Sequence, residues 1–112
     1  MKAVEFLGSS LERLRKFPQS TRRTLGQQID RVQQGQEPDD WKPMTSIGVG
    51  VREIRVRDEN GAWRAIYVAK FPEAVYVLHC FQKKTRKTAP QDIALAVENF
   101  KELIARKARR KQ

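Results

Sequence analysis

Lys83-Lys84-Thr85-Arg86-Lys87 places four cations in five positions, directly after the apolar run Val75-Tyr76-Val77-Leu78 and just before a helical pattern restarts. Like charges at this spacing repel, so the cluster is either solvated surface charge or a place for an anion. Arg64 is a second cation of interest, because it opens an otherwise apolar strand-like run. Its guanidinium fork is suited to phosphate, to which it donates two parallel charged hydrogen bonds. Phe81, just before the cluster, has a ring that suits base stacking, with a core position as its structural alternative. Lys and Arg by themselves can serve one reaction. RNA carries its own nucleophile, the 2′-OH, beside the phosphate to be cut. A protein then has to orient these groups, help remove the 2′ proton and stabilise the charge of the phosphorane. Arg supplies the stabilisation. A Lys crowded by other cations holds its proton less tightly and can serve as base. Such chemistry needs no metal and no cofactor.

The rest of the acid–base toolkit is sparse. His79 lies mid-strand among apolar residues and reads as a buried structural histidine, and Cys80 beside it reads as core. One cysteine and one histidine exclude an intramolecular disulfide and argue against a zinc site. Asp39-Asp40 and Asp58-Glu59 fall in turn-like segments and read as turn formers. There is no Ser-His-Asp order, no Gly-rich phosphate loop and no paired-carboxylate motif. A net charge of +10 and a pI near 10.3 favour an anionic partner, nucleic acid or ribosome foremost. No apolar run reaches the roughly 20 residues of a membrane span. The N-terminal apolar segment is too short for a signal peptide, so a cytoplasmic location is expected.

Elements must hold these cations in place. A length of 112 residues predicts one domain, 1–112, with a basic tail at 106–112 (Arg106, Lys107, Arg109, Arg110, Lys111) expected to fray. Leu7, Leu11 and Leu14 predict a helix over Ser9–Phe17, and Leu25, Ile29 and Val32 predict a second one from Pro18 to Gly35. Together they read as a helical hairpin. The segment 35–50 contains Pro38, Pro43, Gly48 and Gly50 and reads as a loop. Three strand-like runs follow: Val51–Arg57, Trp63–Phe71 and Ala74–Gln82. The first two are joined by Asp58-Glu59-Asn60-Gly61, with Asn-Gly as a hairpin signal. Period-two alternation puts Trp63, Ala65 and Tyr67 opposite to Arg64, Ile66 and Val68. It puts Val75, Val77, His79 and Phe81 opposite to Tyr76, Leu78, Cys80 and Gln82. A helix over Pro90–Arg109 closes the chain, with Ile93, Ala96, Val97, Phe100, Leu103 and Ile104 on one face. The expectation is an α+β fold: an N-terminal helical hairpin packed on a small antiparallel sheet, followed by a C-terminal helix. One sheet face is expected to be covered, leaving the other for a ligand.

The stretch WRAIYVAKFPEAVYVLHCFQKKTRKTAPQDIALA resembles the RelE/HigB superfamily of type II toxins, in its HigB-like, phage Gp49-like branch. The likeness rests on Arg64 near a strand start, on Phe81-Gln82-Lys83-Lys84 at a strand end, and on Thr85-Arg86-Lys87-Thr88-Ala89-Pro90 leading into a helix. VREIRVRDENGAWRAIY (51–67) fits the Arg-rich strand, turn and Trp/Tyr-Arg strand of that family. The resemblance implies a ribosome-dependent mRNA endoribonuclease that inhibits translation and leaves a 2′,3′-cyclic phosphate. It implies a cognate antitoxin, often a helix-turn-helix protein, with operator DNA bound only through that antitoxin. Carried over, Arg64, Lys83, Lys84 and Arg86 would be catalytic, and Arg55, Arg57, Phe81 and Lys87 would bind RNA. Some relatives have a Tyr or His at the C-terminal end of the site. The final helix here has neither, so the resemblance assigns no general acid. The rival reading is a non-catalytic RNA- or DNA-binding module using the same basic face.

Overall fold

A computed structural model describes residues 1–110, so Lys111 of the basic tail lies outside the described residues. The elements are β1 (Ala3–Phe6), α1 (Ser10–Arg15), α2 (Gln19–Gln33), β2 (Trp41–Pro43), β3 (Val51–Asp58), β4 (Gly61–Val68), β5 (Ala74–Lys83) and α3 (Pro90–Arg110). The fold is α+β, with one five-stranded sheet in the order β1-β5-β4-β3-β2. β2 to β5 pair antiparallel, whereas β1 runs parallel to β5, so the sheet is mixed rather than antiparallel throughout.

Local chemistry explains the longer elements. Leu25, Ile29 and Val32 form the buried stripe of α2. Gly35 closes that helix with φ at +81°. Its N–H bonds the Val32 carbonyl at 3.0 Å, and the Gln36 N–H reaches back to the Arg31 carbonyl at 2.9 Å. This doubly bonded turn needs a left-handed residue, which glycine supplies. The pairing of Asp58 with Gly61 leaves Glu59-Asn60 as the two-residue β3–β4 turn, and Gly61 has φ at +130°.

Several expectations change. β1 and β2 are strands that the apolar pattern does not announce; each is short and sits at a sheet edge. The two N-terminal helices pack on one sheet face, α1 against β5 and α2 chiefly against β3, β1 and β5, but β1 precedes them in the chain. Both faces of the sheet are covered. α1 and α2 supply Leu14, Leu25, Ile29 and Val32 to one face, where they meet Ile54, Trp63, Tyr67 and Val77. α3 supplies Ala96 and Leu103 to the other, against Ile66, Val68, Tyr76 and Leu78. Ile104, expected on the same face, stays exposed. The tail does not fray through Arg110, which is still helical. Arg106 pairs with Glu5, and Lys107 pairs with Glu73 while lying 4.2 Å from the centre of the Phe71 ring.

β5 also departs from strict alternation. Ile66 pairs with His79 but Tyr67 pairs with Val77, so Leu78 is an extra residue, a bulge. Beyond it the faces swap. Cys80 joins Val75 and Val77 under α1 and α2, while Phe81 joins Tyr76 and Leu78 under α3. His79 turns the same way, and its Nε2 lies 2.8 Å from Asp92 Oδ1 at the start of α3. It is fully buried, as its apolar surroundings suggest. Burial also pushes the Cys80 thiol up to about 12, so it stays protonated.

Leu103 joins α3 to the sheet and is fully buried. Leu103→Ala is expected to cost about 2–5 kcal/mol of stability in urea unfolding. A loss below about 1 kcal/mol would show that α3 contributes little to that core.

Candidate functional site

α3 lies along β5 and leaves open the end of its sheet face nearest the β3–β4 turn. Two cross-strand rows define this end. Arg55 of β3 stands directly opposite Arg64 of β4, which stands opposite Phe81 of β5. One row further out, Arg57 stands opposite Ala62, which stands opposite Lys83. Directly opposed residues of an antiparallel pair project to the same face, so the arginines and Lys83 converge. Ala62 has the small side chain of the outer row and provides a floor between Arg57 and Lys83. The result is a cleft of about 460 Å³, lined by Arg55, Arg57, Ala62, Arg64, Lys83, Lys84, Thr85 and Arg86.

Six of the eight residues singled out from the sequence therefore share one cleft. Lys87 and Phe81 do not line it. Lys87 is exposed on the loop beyond. Phe81 is 5% exposed, stacked on the His79 ring at 5.3 Å between centroids and packed in the α3-side core. One face of Phe81 stacks on His79, and the ring borders the cavity on the α1 side rather than this cleft.

What distinguishes the cleft cations is their convergence, six lysine and arginine side chains around one cleft. Across the rest of the surface Lys16 meets Glu12, Arg31 meets Asp39, Arg52 meets Glu37 and Arg109 meets Glu102. Among the described residues, none of Arg55, Arg57, Lys83, Lys84 and Arg86 has a carboxylate within 4 Å. Opposing Arg55 to Arg64 on one face opposes like charges, an arrangement that costs the sheet stability. The cleft thus concentrates unneutralised positive charge at the foot of a basic loop.

Arg64 is the buried member, 4% exposed. Its Nη1 donates to the Trp63 carbonyl at 3.0 Å, and its Nε lies 3.5 Å from Glu53 Oε1. Burial pushes its pKa down, the Glu53 charge opposes that, and Arg55 and Arg57 add to it. The Lys83 ammonium is also held below its ordinary value, first by burial and then by the Arg64 charge, with Lys42 and Arg55 acting in the same direction. The sequence argument for a lysine among cations applies to this residue.

Glu53 and Lys42 were missed by the sequence reading. Lys42 belongs to β2 and pairs with Glu53, within a segment that reads as loop. Glu53 stands in an Arg-rich strand as one acid among surface-like charges, and only the register reveals that it is buried. Among the described residues no three His, Cys, Asp or Glu side chains gather as metal ligands. A larger cavity, about 620 Å³, opens on the α1 side. It mixes Arg13, Lys16 and Lys84 with Glu12 and Asp92, and it lacks Arg64, so it is less suited to phosphate.

The site is a cleft lined by six lysine and arginine side chains on an α+β sheet, followed by a helix. A family model, phage-derived protein Gp49-like (DUF891), matches residues 12–101. The chain belongs to that family, which is one of RelE/HigB-like toxins. No curated protein matches the chain. The matched region contains every cleft residue, and β1 precedes it. No described helix is long and apolar enough to cross a membrane.

The cleft field has a direct readout. In a ¹⁵N-detected titration, Lys83 Nζ is expected to titrate below its ordinary value of 10.5. Arg55→Gln removes one of the charges responsible and should move the midpoint upward. A midpoint at or above 10.5 would contradict the assigned causes, and one indifferent to Arg55→Gln would remove Arg55 from among them.

Proposed function

We propose that this chain is the toxin component of a type II toxin–antitoxin pair and acts as a ribosome-dependent, metal-independent mRNA endoribonuclease in the cytoplasm. Its family supports the toxin reading at the level of class. The observation that carries the reaction is the opposition of Arg55 to Arg64, with Lys83, Lys84 and Arg86 around them and no carboxylate pairing any of these three lysine and arginine side chains among the described residues.

The reaction follows from those groups. The 2′-oxygen attacks the adjacent phosphorus as its proton passes to Lys83 Nζ in the neutral form. The P–O5′ bond breaks, leaving a 2′,3′-cyclic phosphate and a 5′-hydroxyl that takes its proton from solvent. Arg64 and Arg86 hold the non-bridging oxygens as charge builds on them. Lys84, Arg55 and Arg57 hold the RNA backbone or ribosomal RNA. The lowered pKa of Lys83 raises the fraction of neutral amine near pH 7. Cleavage should therefore rise with pH until Lys83 is deprotonated. The partners in this reading are a cognate antitoxin, of helix-turn-helix type, and the ribosome with its mRNA. Operator DNA is reached through the antitoxin.

The test is cleavage of a defined mRNA by purified protein, with and without 70S ribosomes, with 5′ ends mapped and the free-RNA arm run in EDTA. Cuts inside codons that require ribosomes are expected. Lys83→Arg keeps the charge and removes the base. It should preserve ribosome binding and lower cleavage by about 10²- to 10⁴-fold. Retained cleavage in Lys83→Arg would make Lys83 an electrostatic contact. Binding without cuts in either arm would leave a non-catalytic RNA- or DNA-binding module.

A further inference from the structure

We propose that Glu53 is the positioning residue for Arg64: its buried carboxylate sets the direction from which the guanidinium meets a phosphate. The kinetic consequence of this role rests on the RNA-cleaving reading above; the geometry does not.

Glu53 lies on β3 opposite Ile66, one diagonal step from Arg64 on the same sheet face. Its side chain is 1% exposed and that of Arg64 is 5% exposed. Their charged atoms approach to 3.5 Å, an ion pair rather than a hydrogen bond, and neither Glu53 Oε2 nor Arg64 Nε has a hydrogen-bond partner. The guanidinium is thus held from the sheet side at two points, by charge at Nε and by the Nη1 bond to the Trp63 carbonyl. Arg55, directly opposite, pushes the Arg64 cation away. Glu53 pulls it back, so the two fields fix where Arg64 rests.

Neither folding nor affinity accounts for this carboxylate. An apolar pair of similar volume generally serves a core as well as a buried ion pair does. A surface that only had to attract a polyanion would be stronger without an acid beside its central arginine. Glu53 does not line the cleft, so it does not meet RNA itself and acts through Arg64. What the pair adds is orientation. A misplacement of about 1 Å at such a group can cost about 100-fold in rate.

The test compares the full-length wild type, Glu53→Gln and Glu53→Asp in the ribosome-programmed cleavage assay, with folding checked by circular dichroism. Glu53→Gln should lower kcat by about 100-fold while KM and ribosome binding are kept. Glu53→Asp, which keeps the charge on a shorter arm, should recover part of that loss and serves if the Gln variant does not fold. In an Arg64→Ala background Glu53→Gln should add no further loss. Unchanged kcat in Glu53→Gln would overturn the proposal. So would an equal loss in the Arg64→Ala background, because Glu53 would then act other than through Arg64, as through its charge on Lys83. A second readout is independent of activity. The Arg64 Nε chemical shift in a ¹⁵N spectrum should move in Glu53→Gln, because a charge 3.5 Å away is removed. Identical shifts in both proteins would overturn the proposal. A wild type that cuts nothing would defeat the reaction, and the Nε chemical shift would still decide the positioning role.

Discussion

The register between β3 and β4 is the constraint on which the site depends. A slip of one residue would send every side chain of the strand to the other face. Arg55 and Arg57 would then point into the core under α2, and Ile54 and Val56 would point into the cleft. The register is held at the turn. Asp58 Oδ1 accepts from the Asn60 N–H at 2.8 Å and from Trp63 Nε1 at 3.2 Å, and Oδ2 accepts from the Thr21 hydroxyl at 2.6 Å. These bonds, the Thr21 one foremost, hold the Asp58 carboxyl below the usual carboxylate range. A turn-forming acid therefore also ties the hairpin to α2, and the covered face keeps the open one in place.

The bulge at Leu78 does comparable work for the basic loop. By rotating the end of β5, it brings His79 to Asp92 at the start of α3. The Leu78 carbonyl, freed at the irregularity, accepts from Asn99 Nδ2 at 2.8 Å. Both contacts tie β5 to α3, so the loop from Lys84 to Ala89 leaves and enters elements that are fixed to each other. The loop that carries Lys84 and Arg86 is therefore short and anchored at both ends.

Net charge and local charge carry different information here. The excess of +10 describes an attraction to anions without locating it. Location comes from convergence, because six cations line one cleft at the end of the sheet nearest the β3–β4 turn. Glu5, Glu12, Glu37, Glu73 and Glu102 each take a cation elsewhere on the molecule, and Lys107 with Tyr76 holds the Glu73 carboxyl down to about 2. Glu53 is the carboxylate of the β3–β4 face at this end, and it is buried behind Arg64 rather than spread among the cleft cations.

Much of this protein is legible without coordinates. Helical spacing of Leu25, Ile29 and Val32, the Asn60-Gly61 turn, the apolar runs of β4 and β5 and the Pro90 start of α3 are local signals, because each element makes most of its own hydrogen bonds or meets its neighbour in the chain. The positive charge of Lys83, Lys84, Arg86 and Arg64 is legible too, since it belongs to the residue type, and the fold gathers them in one cleft. The tertiary structure decided what depends on distant partners. β1 is a strand because β5 lies beside it, with Ala3 opposite Ala74. β2 is a strand because β3 accepts it despite Pro43. The face on which His79 and Phe81 lie depends on one extra residue in β5. Glu53, an ordinary acid in an Arg-rich run, became a buried partner only when β4 brought Arg64 against it. Edge pairing, bulges and buried ion pairs are set by contacts across the sheet, and no periodicity along a single strand encodes them.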